Sequence, residues 1–410
     1  MSETLKPETA EQVLDAVKWA AAGETPLAVK SQGSKEAFGR AVEADHFLDL
    51  SELTGIGCYE PNELFMTAGA ATTLAEIEAA LRQNNQQMAF EPVDLGILLG
   101  GEGEAGTIGG AIACNLAGPR RIKAGAARDH FLGFHAVSGR GETFKSGGTV
   151  VKNVTGFDLS KLIAGSFGTL AVMTEVTFKV LPAPEKTRTV LVLGLSDQDA
   201  MKAMAKALGS SHEVSGAAHL PEAAAKASKV SHVAGAGRSV TAIRVEGPGE
   251  SVEHRCRALT ALLGDDANIE ELHSENSALL WREIRDVVLI DGGASGGGRQ
   301  VWRLSVPPMN GAGVAQKLAA LAGASVFYDW GGGLIWLAMD AEPDAGHEKV
   351  RQAVKFTGGH ATLVRAGADV RNRVPVFEPQ AGALRELTAR IKEGFDPKGI
   401  LNPGRMVEGV

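Results

Sequence analysis

VVKNVTGFDLSKLIAGSFGTLAVMTEVTFKVLP, residues 150–182, carries the transition on which the fold reading turns. Its first half is polar and glycine-bearing. Its second half, LAVMTEVTFKVLP (170–182), is apolar and carries five β-branched residues and a phenylalanine, as a long strand does. That strand ends at Pro182 and Pro184, because proline has no N–H to give to a ladder. A domain boundary is expected there, closing a first unit of residues 1–183.

On the amino-terminal side, Thr9 to Ala22 puts Val13, Leu14, Val17 and Ala21 on one helical face, with Thr9 and Gln12 spaced as a capping box and Gly23 placed to end the helix. PLAVK (26–30), HFLDL (46–50) and ELFMTAGA (63–70) read as strands, the last leading into a helix over 74–83 capped by Thr73 and Glu76. HFLGFHAV (130–137) reads as a further strand. On the carboxy-terminal side the pattern restarts: strand TVLVLGL (189–195), helix from Asp197 to Leu208, strand VTAIRV (240–245). It recurs as strand VWRLSV (301–306), helix 312–322, paired strands SVFYDW (325–330) and LIWLAM (334–339), a helix near 344–355 and strand ATLVRA (361–366). Two such units predict an antiparallel sheet with helices on one face. The alanine-rich stretch 200–236 reads as helix and surface loop. A last segment, Leu384 to Val410, reads as a helix ending in FDPKGILNPGRM. The expected class is α+β.

With 410 residues, 44% of them hydrophobic and 22% charged, the chain has the material for two or three cored domains. The formal net charge of −8 favours neither nucleic acid nor an anionic membrane surface, so the expected partners are small molecules or proteins. No apolar run is long enough for a transmembrane segment, and the polar start MSETLKPETAEQ lacks the features of a signal peptide, so the expected compartment is the cytoplasm. Cys58, Cys114 and Cys256 are far apart and form no CxxC pair. Neither a disulfide framework nor a thiolate metal site is encoded, and an iron–sulfur carrier would have to sit on another chain. The 51 glycines cluster in particular segments, as they do where backbone approaches a ligand.

Three glycine-rich segments bear on chemistry. KSQGSKEAFGR (30–40) follows a strand and offers Gly33 between Gln32 and Ser34, with Lys35 beside them; successive N–H groups in such a turn form an anion nest. A tight surface turn would look the same. GEAGTIGGAIACNLAGPRRIKAGAARD (103–129) places Thr107, Gly109 and Gly110 before the small-residue run AIACNLAG, against which a cofactor could lie flat. Close helix packing explains the alanines equally well, but not Asn115, Arg120, Arg121, Lys123 and Arg128 nearby. Those cations read as a solvated face, or as charges offsetting a diphosphate or an acidic partner. His130 and His135, five apart in the predicted strand, should face opposite sides, so they form no metal or proton-transfer pair. Arg282, Arg303 and Arg365 could each hold a carboxylate or make an ordinary ion pair. No nucleophile elbow suggests hydrolysis.

The third segment, taken with TIGGAIA before it and FDPKGILNPGRM at the end, resembles the FAD-binding fold of vanillyl-alcohol oxidase and the FAD-linked 2-hydroxyacid oxidases, the PCMH-type superfamily. YEPNELFMTAGAATTLAEIEAAL, GPRRIKAGAARD, KNVTGFDLSKLIAGSFGTL, VWRLSVPP and FYDWGGGLIW, in this order, resemble more narrowly the FAD-binding accessory subunit of bacterial glycolate oxidase over nearly the whole chain. The resemblance implies a two-subdomain FAD-binding domain (1–183), an α+β cap domain with an antiparallel sheet (184–366) and a carboxy-terminal segment returning toward the flavin (367–410). It assigns Gln32, Gly33, Ser34 and Lys35, with the backbone of Thr107, Gly109 and Gly110, to the FAD diphosphate. Asn115 and Gly118 fall near the flavin ring, with Gly125 and Asp129 in the next matched turn. Gly168, Thr169 and Val172 fall along the adenosine half, and Asn402 returns from the LNPG turn to the flavin.

The departures are informative too. The first loop has no histidine for covalent attachment, so FAD is expected to be non-covalent; Cys114 reads as a packing cysteine. Ala171 replaces a glycine of the relatives. Where catalytic relatives carry an acid and a histidine, this chain has Gly332 and Trp336. The resemblance therefore implies a subunit of a heteromeric glycolate oxidase or dehydrogenase, acting beside a catalytic FAD subunit and an iron–sulfur subunit, in the cytoplasm or attached peripherally to the inner membrane through the complex. A self-sufficient FAD-dependent 2-hydroxyacid dehydrogenase and a non-enzymatic assembly subunit are the alternatives.

Overall fold

The long strand at the centre of the sequence reading is also central in space. The computed structural model describes residues 3–42, 44–150, 156–264, 268–290 and 298–409. In it, Ala171–Lys179 is the middle strand of a five-stranded antiparallel sheet, flanked by Phe65–Gly69 and Phe131–Ser138, with Ile56–Glu60 and Glu142–Gly147 at the edges. A middle strand is covered on both faces, and seven of its nine residues are buried. Beside it stands a small parallel sheet in which His46–Asp49 lies between Glu3–Leu5 and Leu27–Lys30. Two of these strands, Glu3–Leu5 and Ile56–Glu60, as well as Glu142–Gly147, carry mostly exposed or half-buried residues and so lack the apolar run that marks a strand in sequence.

The first helix, Ala10–Gly23, forms on the predicted face, with Val13, Val17 and Ala20 buried. Thr9 Oγ1 accepts from the Gln12 N–H at 3.3 Å, but Gln12 reaches the N–H of Glu8 rather than that of Thr9. Gly23 is the last helical residue, and Glu24 takes the left-handed position at φ 51°. The helix Leu74–Arg82 starts at Thr73, whose side chain accepts from the Glu76 N–H.

The remaining strands form one eight-stranded sheet, antiparallel throughout, in the order Ile269–His273, Lys186–Leu193, Val240–Gly247, Gly216–Leu220, Ser325–Asp329, Leu334–Met339, Gln300–Ser305, His360–Arg365. Gly216–Leu220 corrects the reading of 200–236 as helix and loop. Its sequence, GAAHL, is too poor in β-branched residues to be read as a strand, yet all five residues are buried where the two halves of the sheet meet. Period-two alternation divides the sheet. Val190, Ile243, Trp302, Leu304, Ile335 and Leu337 face helices including Asp197–Leu208 and Gly249–Leu263. Leu191, Val301, Phe327, Leu334 and Trp336 face the core shared with the first sheet.

That shared junction holds a buried ionic cluster. Arg244 donates to both carboxylate oxygens of Glu91 at 2.9 Å, and Arg120 donates to both oxygens of Glu246 at 3.0 and 2.8 Å. The arginines hold the Glu91 and Glu246 carboxyls below the usual carboxylate range against the opposing effect of burial. Arg120 is thus committed to a cross-junction pair and Lys123 to Glu213, rather than to a diphosphate.

Candidate functional site

The strand Leu27–Lys30 delivers the chain into a loop that closes over a cavity of about 500 Å³. Gly33 turns the loop at φ +74°, and the Glu36 N–H donates to the Gly33 carbonyl at 3.0 Å. Among the described residues, none of the N–H groups of Gln32, Gly33, Ser34 and Lys35 donates to a protein acceptor. The Ser31 hydroxyl at the same wall is buried without a hydrogen-bond partner. Among the described residues Lys35 Nζ is bonded only to Ser34 Oγ, at 3.1 Å, and burial holds its pKa below the ordinary lysine value.

Two arginines from the distant carboxy-terminal region join this wall. Arg405 donates to the Lys35 carbonyl at 2.7 Å, and Arg371 donates to the Gly39 and Ala366 carbonyls at 2.7 and 3.1 Å. Burial lowers the pKa of both guanidinium groups, and neither has a carboxylate partner among the described residues. Glu36 also borders the cavity, but its carboxylate is 3.5 Å from Lys30 Nζ. Three cations, a row of free N–H groups and an orphaned hydroxyl around one cavity are what a diphosphate requires. The residues present therefore fit the FAD that the sequence resemblance implies. Arg371 and Arg405 escaped the sequence reading, since isolated arginines carry no motif; Arg405, in the NPGRM run quoted from the terminus, offered the nearest signal.

The opposite wall is made by the helix Ile108–Ala113 and the loop before Ala171–Lys179. Thr107 Oγ1 accepts from the Gly110 N–H at 3.3 Å. The adjacent glycines differ in what they do. A Cβ on Gly109 would lie 2.6 Å from the Ala70 carbonyl, whereas one on Gly110 would lie 3.2 Å from Thr107 Oγ1 and 3.5 Å from Lys35 Nζ, on the cavity side. Gly168, Ala171 and Val172 continue this wall, with the Cys114 thiol pushed upward in pKa by burial. Asn402, at φ 44°, accepts from the Val29 N–H at 2.8 Å and donates to the Phe167 carbonyl at 2.9 Å, so its amide ties the two walls together. Phe167 in turn packs edge-on against Phe38 and Phe377.

Gln32, Gly33, Ser34, Lys35, Thr107, Gly109, Gly110, Gly168, Val172 and Asn402 thus border one cavity. The other five candidates do not. Asn115, at φ 48°, accepts from the Arg128 N–H. Gly118 packs beneath Glu91, where a Cβ would be 2.5 Å from its carbonyl. Gly125, at φ +88°, packs against Asp129, which accepts from the Ala126 N–H. Thr169 is buried, its hydroxyl donating to the Ser166 carbonyl. Residues 152–155 of the quoted KNVTG motif lie outside the described residues.

The positions of the missing acid and histidine are closed. Gly332 has φ +96°, and a Cβ there would strike Met201 Sδ and come within 2.8 Å of the Pro308 carbonyl. Trp336 is buried in the junction core. His130 does not face away from His135 across a strand: it ends the helix Ala127–His130, where Nε2 meets the Ala124 carbonyl at 2.9 Å, because the ladder begins only at Phe131. Among the described residues no group of three or more histidine, cysteine or acidic side chains could hold a metal ion, and no helix is long and apolar enough to cross a membrane.

Comparison with known proteins follows this geometry. The FAD binding domain family matches residues 2–147, which include Lys35, and the C-terminal domain of FAD linked oxidases matches residues 373–406, which include Arg405. The chain is 34% identical over 396 residues to the glycolate oxidase subunit GlcE of Escherichia coli (strain K12), covering 97% of each protein. It is 26% identical to the glycolate oxidase subunit GlcD of Bacillus subtilis (strain 168), over 73% of this chain and 68% of that one. Among solved structures, p-cresol methylhydroxylase superposes with a TM-score of 0.72 at 15% identity, covering 99% of this chain and 88% of that one. Alkyldihydroxyacetonephosphate synthase does so with 0.71 at 17%, covering 98% and 75%. Both share the α+β fold.

Proposed function

Because the chain belongs to the family of the glycolate oxidase subunit GlcE, we propose that it is the FAD-binding subunit of a heteromeric glycolate oxidase or dehydrogenase. Its class, an FAD-linked oxidoreductase subunit, follows from that membership and from the two FAD-linked domain matches. The finer reading rests on one observation above all: a cavity in which, among the described residues, Lys35, Arg371 and Arg405 have no carboxylate partner and four successive loop N–H groups have no acceptor. In this reading Gln32 to Lys35, the backbone of Thr107 to Gly110, and the two arginines hold the FAD diphosphate. Residues 1–183 and 367–410 enclose the cofactor, and 184–366 form the cap. FAD bound there would supply two-electron acceptance and one-electron relay.

Attachment is non-covalent. Among the described residues no histidine borders the cavity, and the raised pKa of Cys114 disfavours the thiolate that a sulfur linkage would need. The chain works beside a catalytic FAD subunit and an iron–sulfur subunit, because its own positions for acid and histidine are Gly332 and Trp336. Removing a general base alone costs about 100- to 10,000-fold in rate. The isolated, FAD-loaded chain should therefore turn over glycolate with an artificial acceptor only negligibly, and activity should return when the partner subunits are added. Steady turnover at the rate of the complex, in a preparation free of partners by mass spectrometry, would establish a self-sufficient dehydrogenase instead.

A further inference from the structure

Trp330 stands at the junction of the two sheets on a backbone that tertiary contacts must hold in place. Trp330, Gly331 and Gly332 all have positive φ, at 52°, 66° and 96°, and a tryptophan in that region is strained. Asp329 caps the turn by accepting from the Trp330 N–H at 2.7 Å, and the indole N–H reaches across to the Gly118 carbonyl at 3.0 Å.

Two guanidinium groups approach this indole from different parts of the fold. Arg121, from the helix Arg121–Ala124, is 4.3 Å from the ring centroid, and Arg303, from the strand Gln300–Ser305, is 5.0 Å from it. Neither guanidinium donates a hydrogen bond or forms an ion pair within the protein among the described residues. The acids nearby are committed: Glu378 to Arg351 and the Ala361 N–H, Asp129 to the Ala126 N–H and Lys161. His360 stands opposite Ser305, two residues along the same sheet face from Arg303, and adds no negative charge. Burial and the neighbouring Arg121 lower the Arg303 pKa to about 10, while Arg121 is exposed and Arg303 half-buried, so both can be reached from solvent.

The same junction shows what a structural arginine looks like here. Arg120 and Arg244 each have a bidentate carboxylate. Among the described residues Arg121 and Arg303 have the indole alone, and a cation–π contact leaves their N–H edges unsatisfied.

We propose that Arg121 and Arg303, arranged around Trp330, form a binding site for the carboxylate of a small 2-hydroxy or 2-oxo acid, separate from the dinucleotide cavity. The ligand class rests on the glycolate reading of the complex; the requirement for a small anion rests on the arginines alone. The chain would thereby hold the acid beside Gly332 and Trp336, which supply neither acid nor histidine.

The test is calorimetric titration of the full FAD-loaded chain with glycolate, and with glycolamide as the uncharged control. Saturable binding of glycolate but not glycolamide is expected, and Arg303→Gln and Arg121→Gln should each weaken it about tenfold or more, the loss of a charge-assisted contact. Arg121 is exposed, so its variant keeps the test decisive if Arg303→Gln fails to fold. Absence of any glycolate-specific heat, or wild-type affinity in both variants, overturns the proposal. Flavin absorbance in the same samples separates the two readings: variants that lose glycolate binding at full FAD content support this site, and a colourless chain that still binds glycolate supports it while overturning the cofactor assignment.

Discussion

Gly109 and Gly110 are neighbours in sequence with opposite work. A Cβ on Gly109 would meet the Ala70 carbonyl and Cβ at 2.6 and 2.9 Å, whereas one on Gly110 would look toward Lys35 Nζ. Gly110→Val should therefore weaken FAD about tenfold or more with circular dichroism unchanged, because its methyl groups enter the cavity without striking backbone. Gly109→Val should lower the melting temperature first, and full FAD affinity in a folded Gly110→Val chain would remove that residue from the site. A second residue reports through pH. Burial raises the Asp329 pKa from 3.8 to about 7. The folded chain then holds a proton that the unfolded chain releases, so ionisation costs stability progressively as pH rises from about 4 to 7 and the cost stays constant above that. Asp329→Asn keeps the oxygen that accepts from Trp330 and removes the charge. Relative to the parent, its stability should climb across that window by at most about 4 kcal/mol. Urea unfolding at several pH values measures the slope, and a pH-independent difference contradicts the assignment.

The carboxy-terminal helix Gly382–Phe395 is tied down chiefly at its end. Lys392 Nζ is bonded to Asp396 at 2.7 Å and to the carbonyls of Thr169 and Leu401 at 2.8 and 3.0 Å. Asp396 accepts from the N–H groups of Ile400 and Leu401 at 3.1 and 2.8 Å. This clamp sets the turn from which Asn402 and Arg405 reach the cavity, and Leu27 donates to the Ile400 carbonyl at its far side. Asp396→Asn should cost about 3–5 kcal/mol, the penalty for leaving a buried lysine without its counterion, and should weaken FAD along with stability. Lys392→Met combined with Asp396→Leu should recover part of the loss in stability; thermal unfolding and FAD titration on both variants check this. The clamp was invisible in sequence because a Lys and an Asp four apart on a helix normally read as a solvated pair. The strands with strong β-branched runs were legible, as were both capped helices. Gly216–Leu220 was not, because its burial comes from its neighbours in the sheet and not from its own side chains.

At the scale of the molecule, two sheets meet over a shared core and the carboxy-terminal segment returns across the sequence to complete a cavity begun by residues 28–37. The loop of Gln32 to Lys35 was legible because glycine and lysine after a strand advertise an anion nest. Arg371 and Arg405 were not, because only tertiary structure brings them there. Asn115, Gly118, Gly125, Asp129 and Thr169 stand in turns whose hydrogen bonds and packing the protein itself uses. The most direct measurement is the cofactor content of the purified chain. The visible spectrum and the supernatant after acid precipitation should show about one FAD per chain, released without proteolysis, and Lys35→Met together with Arg405→Met should empty the site while the chain stays folded. A colourless chain that takes up no added FAD contradicts the central claim, and flavin that stays with the denatured polypeptide contradicts its non-covalent part.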